Sequence, residues 1–138
     1  MNDNIGGFAL LLLLGGIVYL AYYLLAGGKK KIHAENLAAL KGSGINFDKV
    51  YDGFASIIAI SAGTGKIALA EPGKRLHIYD RDMIRGWQPV WFEQGGHKSL
   101  FKIQFKLRDE NNPTTAIWFA TERDMDKWEE ILSQAMGV

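Results

Sequence analysis

Cations recur at even spacing late in the chain. Lys98, Lys102, Lys106 and Arg108 would project from one face of an extended segment, where they could hold phosphate groups. Three further groups are candidates for the same chemistry: the triplet Lys29-Lys30-Lys31, the single Lys66, and the pair Lys74-Arg75. The residues expected to contact headgroups or a partner are therefore Lys29, Lys30, Lys31, Lys66, Lys74, Arg75, Lys102 and Lys106. A solvated sheet face competes as a reading of the strand cations, because Glu93, Asp109 and Glu110 lie close to them in sequence.

Other chemistry is poorly supplied. Gly63-Thr-Gly-Lys66 has the composition of a phosphate loop without the G-x-x-x-x-G-K-[ST] spacing or a following helix. The absence of cysteine excludes disulfides, thiolate zinc sites and cysteine nucleophiles, and the three histidines are far apart. No Ser/His/Asp set and no carboxylate pair stands out. His33 has no second ligand nearby and reads as a solvent or headgroup residue. A formal net charge of +1 hides an even mixture of signs, so no nucleic-acid partner is implied. These residues predict a non-enzyme without cofactor or metal.

The elements that must position the cations begin with an uncharged run, Ile5 to Ala26. About 22 residues at roughly 1.5 Å rise make a helix of roughly 33 Å, enough to cross a bilayer core of about 30 Å. The run is too long for a signal peptide, and nothing basic precedes it. Tyr19, Tyr22 and Tyr23 crowd its C-terminal end, and the lysine triplet follows Gly27-Gly28. Cytoplasmic loops favour lysine and arginine, so the N-terminus is expected outside and the rest of the chain in the cytoplasm. Residues 1–28 form the anchor. Residues 29–45 form a juxtamembrane helix, with Ile32, Leu37 and Leu40 at helical spacing, ending in a flexible joint at Gly42-Ser43-Gly44.

Residues 46–138 change to a period of two. Phe54–Ser61 and Lys66–Glu71 predict a hairpin, and Glu71-Pro72-Gly73-Lys74 has type II turn chemistry. Arg75–Asp80 alternates again, and Gly86 and Pro89 predict a bulge or break before the turn at Gln94-Gly95-Gly96-His97. Leu100–Arg108 is the cleanest strand, and Thr114–Thr121 the last. Trp87, Trp91 and Phe92 could form an exposed aromatic surface, but a small core needs large side chains, so at least two are expected to be buried. Glu122–Met136 predicts a helix capped by Thr121, its apolar stripe formed by Met125, Trp128, Ile131, Leu132, Ala135 and Met136.

Six or seven consecutive antiparallel strands closed by one amphipathic helix resemble the pleckstrin-homology (PH-like) superfold. Trp128 on the apolar face of the last helix and the Asp82-Met83-Ile84 step resemble features of that family over about Phe47 to Met136. The whole chain resembles small bacterial or phage-encoded single-pass membrane proteins with a C-terminal PH-like domain. The resemblance implies an α+β fold: an N-terminal transmembrane helix, then a PH-like antiparallel β-sandwich or barrel capped by an α-helix. Members that bind phosphoinositides use basic residues around the first hairpin. The loop taken as the first hairpin here, Ala62 to Gly65, carries no charge before Lys66, and Lys74 and Arg75 lie in the next turn.

The expected function is a membrane-anchored scaffold or regulatory module for protein interaction, displayed at the cytoplasmic face of a bacterial inner membrane. An anionic-lipid-binding PH-like module is the alternative. The partners expected are the bilayer and another membrane or cytoplasmic protein, with homo-oligomers also open.

Overall fold

The computed structural model describes Ile17 and residues 30–137, so the expected membrane span, apart from Ile17, lies outside the described residues. Among the described residues no helix is long and apolar enough to cross a membrane. A helix over residues 30–42, α1, opens the described chain. Strands β1 (Lys49–Gly53), β2 (Ser56–Ser61), β3 (Lys66–Ala70) and β4 (His77–Asp80) follow. A 3-10 turn at Arg81–Met83 leads into β5 (Ile84–Gln94), β6 (His97–Leu107), β7 (Thr114–Trp118) and the closing helix α2 (Glu122–Met136). The architecture is α+β: an antiparallel four-stranded sheet β1-β2-β3-β4, an antiparallel three-stranded sheet β5-β6-β7, and α2.

Strand β1 had not been expected, and it changes the hairpin count. The first hairpin turn is Phe54-Ala55, between the paired residues Gly53 and Ser56, and not Ala62–Gly65. Lys49-Val-Tyr-Asp-Gly53 lacks a run of apolar residues because β1 is a sheet edge, mostly exposed. The β2–β3 hairpin and the type II turn are as expected, with Gly73 at φ +75° and the Lys74 N–H donating to the Glu71 carbonyl at 3.1 Å. Residues Gly95 and Gly96 both take positive φ between Gln94 and His97, which closes the β5–β6 hairpin in two residues. Strand β5 shifts register between Ile84 and Gly86 and again between Val90 and Phe92, as its glycine and proline foreshadow.

The first sheet is covered on both faces. Ile58, Ile60, Ile67 and Leu69 point into the main core, where Phe105, Ile117, Phe119, Met125, Trp128 and Leu132 meet them. Ile57, Ala59, Ala68 and Ala70 point the other way and pack beneath Leu40 and Leu37 of α1. Three of those four residues are alanines, which lets a helix approach the sheet closely. Strand β2 is consequently buried along its whole length.

Helix α1 docks through the face His33, Asn36, Leu37 and Leu40, an i, i+3, i+4, i+7 stripe. Asn36 Nδ2 donates to the Lys74 carbonyl at 2.8 Å, and its Oδ1 accepts from the Leu76 N–H at 2.9 Å. His33 Nε2 donates to the Asp52 carboxylate on β1, so His33 is not the free surface residue expected. The joint expected at Gly42-Ser43-Gly44 is a hydrogen-bonded turn, because Ser43 Oγ donates to the Leu40 carbonyl at 2.7 Å and accepts from the Ile45 N–H at 3.3 Å.

The two sheets are joined along β7. Its N–H groups at 117 and 119 face β6, while those at 116, 118 and 120 face away. Each outward donor finds a side chain from the first sheet: Glu71 Oε1 at 2.7 Å from Ala116, Ser56 Oγ at 3.0 Å from Trp118, and the Tyr51 hydroxyl at 3.1 Å from Ala120. An edge strand that would otherwise offer open donors is sealed.

Candidate interaction surface

Residues 30–36 of helix α1 lie at the end of the first sheet that carries the β1–β2 and β3–β4 turns, because His33 binds Asp52 and Asn36 binds Lys74 and Leu76. The exposed Lys30 and Lys31 therefore share that end with Lys74 and Arg75, both exposed. Lys29 lies outside the described residues. Lys74 Nζ lies 2.9 Å from Glu71 Oε2, and this carboxylate holds the Lys74 ammonium above its ordinary pKa.

Lys66 is not part of the group. It stands at the opposite end of β3, paired with Asp80. Lys102 and Lys106 stand on the outer face of the second sheet, in cross-strand rows with Val90 and Trp118, and with Gly86 and Thr114. Gln104, Gln88 and Ala116 form the row between them, so these three rows hold no carboxylate. Glu93 opposes Lys98 nearer the hairpin tip, and Asp109 and Glu110 follow β6, so none of the three stands in these rows. Lys102 Nζ sits 5.1 Å from the centre of the Trp118 ring. Lys98 leaves the row altogether, bonded at 3.1 Å to Glu122 and 4.8 Å above Trp91.

A polar cleft of about 370 Å³ opens between the β3–β4 turn and the β6–β7 loop, lined by Lys74, Arg75, His77, Asp109, Asn111 and Asn112 among others. At its base Asn112 Nδ2 donates to the Tyr79 hydroxyl at 3.3 Å and to Thr115 Oγ1 at 3.2 Å. Burial pushes the Tyr79 phenol above its ordinary pKa, with Asn112 opposing and Asp109 assisting. The cleft thus offers donors of both charged and neutral kinds. Among the described residues no three His, Cys, Asp or Glu side chains group as metal ligands.

The aromatic expectation needs correction. Trp87 packs against the core, but Trp91 and Phe92 are both exposed, because the β5–β6 hairpin continues past the last buried rows as a projecting arm over residues 91–100. Leu100 marks the base of the arm. Two residues of β6, Leu100 and Phe101, stand against the single Trp91 of β5, and Leu100 takes φ +56°. Phe54 and Ala55 in the first hairpin turn are the other non-glycine residues of positive φ among those described, at 54° and 57°. Periodicity could not have found these positions, since Phe54 reads as the first residue of the strand after it.

The chain matches no known family model, no curated protein and no solved structure.

Proposed function

We propose that this protein is a single-pass membrane protein whose cytoplasmic PH-like domain works as an interaction module, scaffolding or regulating a complex at a bacterial inner membrane. The observation that carries the reading is the latch between α1 and the β3–β4 turn, Asn36 to Lys74 and Leu76. It ties the chain that leaves the apolar run to one end of the domain, so the domain would be held in one pose over the bilayer. A four-strand sheet, a three-strand sheet and a closing helix, in that order, support the PH-like reading. Tethering raises the local concentration of the module, so weak affinities for a partner become effective. The reading is non-catalytic.

Topology and extraction test it. The intact protein should stay with membranes through alkaline carbonate, and a cysteine placed at Thr64 should react with a membrane-impermeant maleimide only after cells are opened. Solubilisation by carbonate, or reaction in intact cells, would overturn the reading. A crosslinking pull-down with the anchored chain should then recover a membrane or cytoplasmic protein.

The polar cleft favours a second reading, a module for anionic lipid. Lys74, Arg75 and His77 line it at the end where residues 30–36 of α1 lie. Salt-sensitive binding to anionic but not neutral vesicles, lost in Lys74→Ala/Arg75→Ala, is its signature.

A further inference from the structure

Phe54 and Leu100 combine two properties that seldom coincide. Each is a large apolar side chain more than half exposed, at 59% and 54%. Each also stands on left-handed backbone, which L-residues avoid. The β5–β6 turn in the same protein makes its reversal with Gly95-Gly96, so strained backbone beneath exposed apolar residues is not a necessity of hairpin closure. Phe92, at 52%, and Trp91, at 39%, extend the exposed apolar surface along the arm.

Phe54 and the base of the arm at Leu100 are neighbours in the fold. From the start of α1, His33 binds Asp52, two residues before Phe54. Tyr51 beside it accepts from the Ala120 N–H at 3.1 Å, and the Phe119 N–H donates at 2.9 Å to the carbonyl of Phe101, the neighbour of Leu100. The first hairpin thus adjoins the helix that follows the apolar run, and the base of the arm connects to that hairpin through Phe119 and Ala120. Three residues lie between Ala26 and Lys30, and the four Cα steps reach at most roughly 14 Å. Lys30, and the turn bonded to α1, are kept close to the end of that run.

We infer that Phe54, Leu100, Trp91 and Phe92 form an apolar rim that lies in the interfacial layer of the bilayer, as a second attachment beside the anchor. This rests on the anchored reading above. The occupant is the lipid interface and not its headgroup charge, because the arm's one lysine, Lys98, is already bonded to Glu122 at 3.1 Å and its remaining formal charge, Glu93, is anionic. Aromatic side chains favour that layer. The rim differs from the cleft of Lys74 and Arg75 in requiring no anionic lipid.

The absence of cysteine makes the test direct. Single cysteines carrying a nitroxide are placed in the full chain at Phe54, Phe92 and Leu100, at Thr64 on the far β2–β3 turn, and at Leu12 within the apolar run. The chains are reconstituted in neutral phosphatidylcholine vesicles. Collisions with oxygen, enriched in lipid, and with a water-soluble nickel chelate are then compared. Labels at 54, 92 and 100 should be richer in oxygen and poorer in nickel collisions than the label at 64. If the Leu12 label lies in lipid while the rim labels match Thr64, the inference falls and the anchor stands. If Leu12 is as aqueous as Thr64, the anchored reading falls. Rim labels in lipid would then still support the attachment, and aqueous ones would end it. Rim labels shielded from both reagents would mean a second copy covers the rim, which also overturns it.

Discussion

The Leu76 N–H donates to Asn36 Oδ1 at 2.9 Å across forty residues of chain, and the same carboxamide reaches the Lys74 carbonyl at 2.8 Å. Asn36 is buried, so its carboxamide has few partners besides these two bonds. Asn36→Ala should lower stability by about 2 kcal/mol, since a buried donor and acceptor lose their partner together. Hydrogen exchange at the Leu76 amide should accelerate, and helix α1 should show raised exchange before the sheets do. Unchanged exchange at Leu76 would refute the latch.

Ser56 is fully buried with its hydroxyl on the Trp118 N–H at 3.0 Å. Ser56→Ala keeps the volume close but strands that amide, at a cost of roughly 1–3 kcal/mol. The urea midpoint should fall while the slope with denaturant stays the same. Because the β7 edge is partly reopened, aggregation on mild heating should also rise.

The first hairpin offers a test in the opposite direction. Phe54 and Ala55 both hold positive φ, the pattern for which Asn-Gly is preferred. Phe54→Asn with Ala55→Gly should stabilise the protein by about 1 kcal/mol, read as a higher melting temperature. The same double variant should weaken attachment to neutral vesicles, so stability and attachment would move apart.

Trp128 is buried among Ile58, Phe105 and Leu132, and its truncation to alanine should cost about 3–5 kcal/mol. In a domain this small that approaches the whole margin. Loss of the near-ultraviolet circular dichroism signal is the expected readout.

Asp48 accepts the Ala62 N–H at 2.8 Å, and that bond holds its carboxyl below the ordinary range. A depressed pKa means the folded state favours the charged form. The contribution is therefore present above the unfolded value of about 4 and is lost as pH falls through the folded value. Asp48→Asn should flatten stability against pH in that acid window and leave the slope near pH 7 alone.

Much of this was legible beforehand. Thr121 caps α2 by accepting from the Asp124 N–H, and the stripe from Met125 to Met136 faces the core. Those features are local and repeat with one period. The docking of α1 was hidden because half of its contact face is polar: His33 and Asn36 spend their side chains on backbone and carboxylate partners far along the chain. A hint was nonetheless present in Ile57-Ile-Ala-Ile60, an unbroken apolar run that suits a strand covered on both faces. For the candidate site, Lys74 and Arg75 were identified, but their nearness to Lys30 and Lys31 depends on that docking. The same applies to Lys66, whose isolation with Asp80 follows from strand register alone.

The seat of α1 also sets how the molecule would yield under tension. A pull on residue 30 loads the helix before any strand, and resistance comes from the His33–Asp52 pair, the two Asn36 bonds and then Leu40. Peeling α1 away would bare Ile57, Ala59, Ala68 and Ala70 while the main core stayed closed on its other side. Extension by the N-terminus should therefore rupture in two events, a small early one for the helix and a larger one for the sheets.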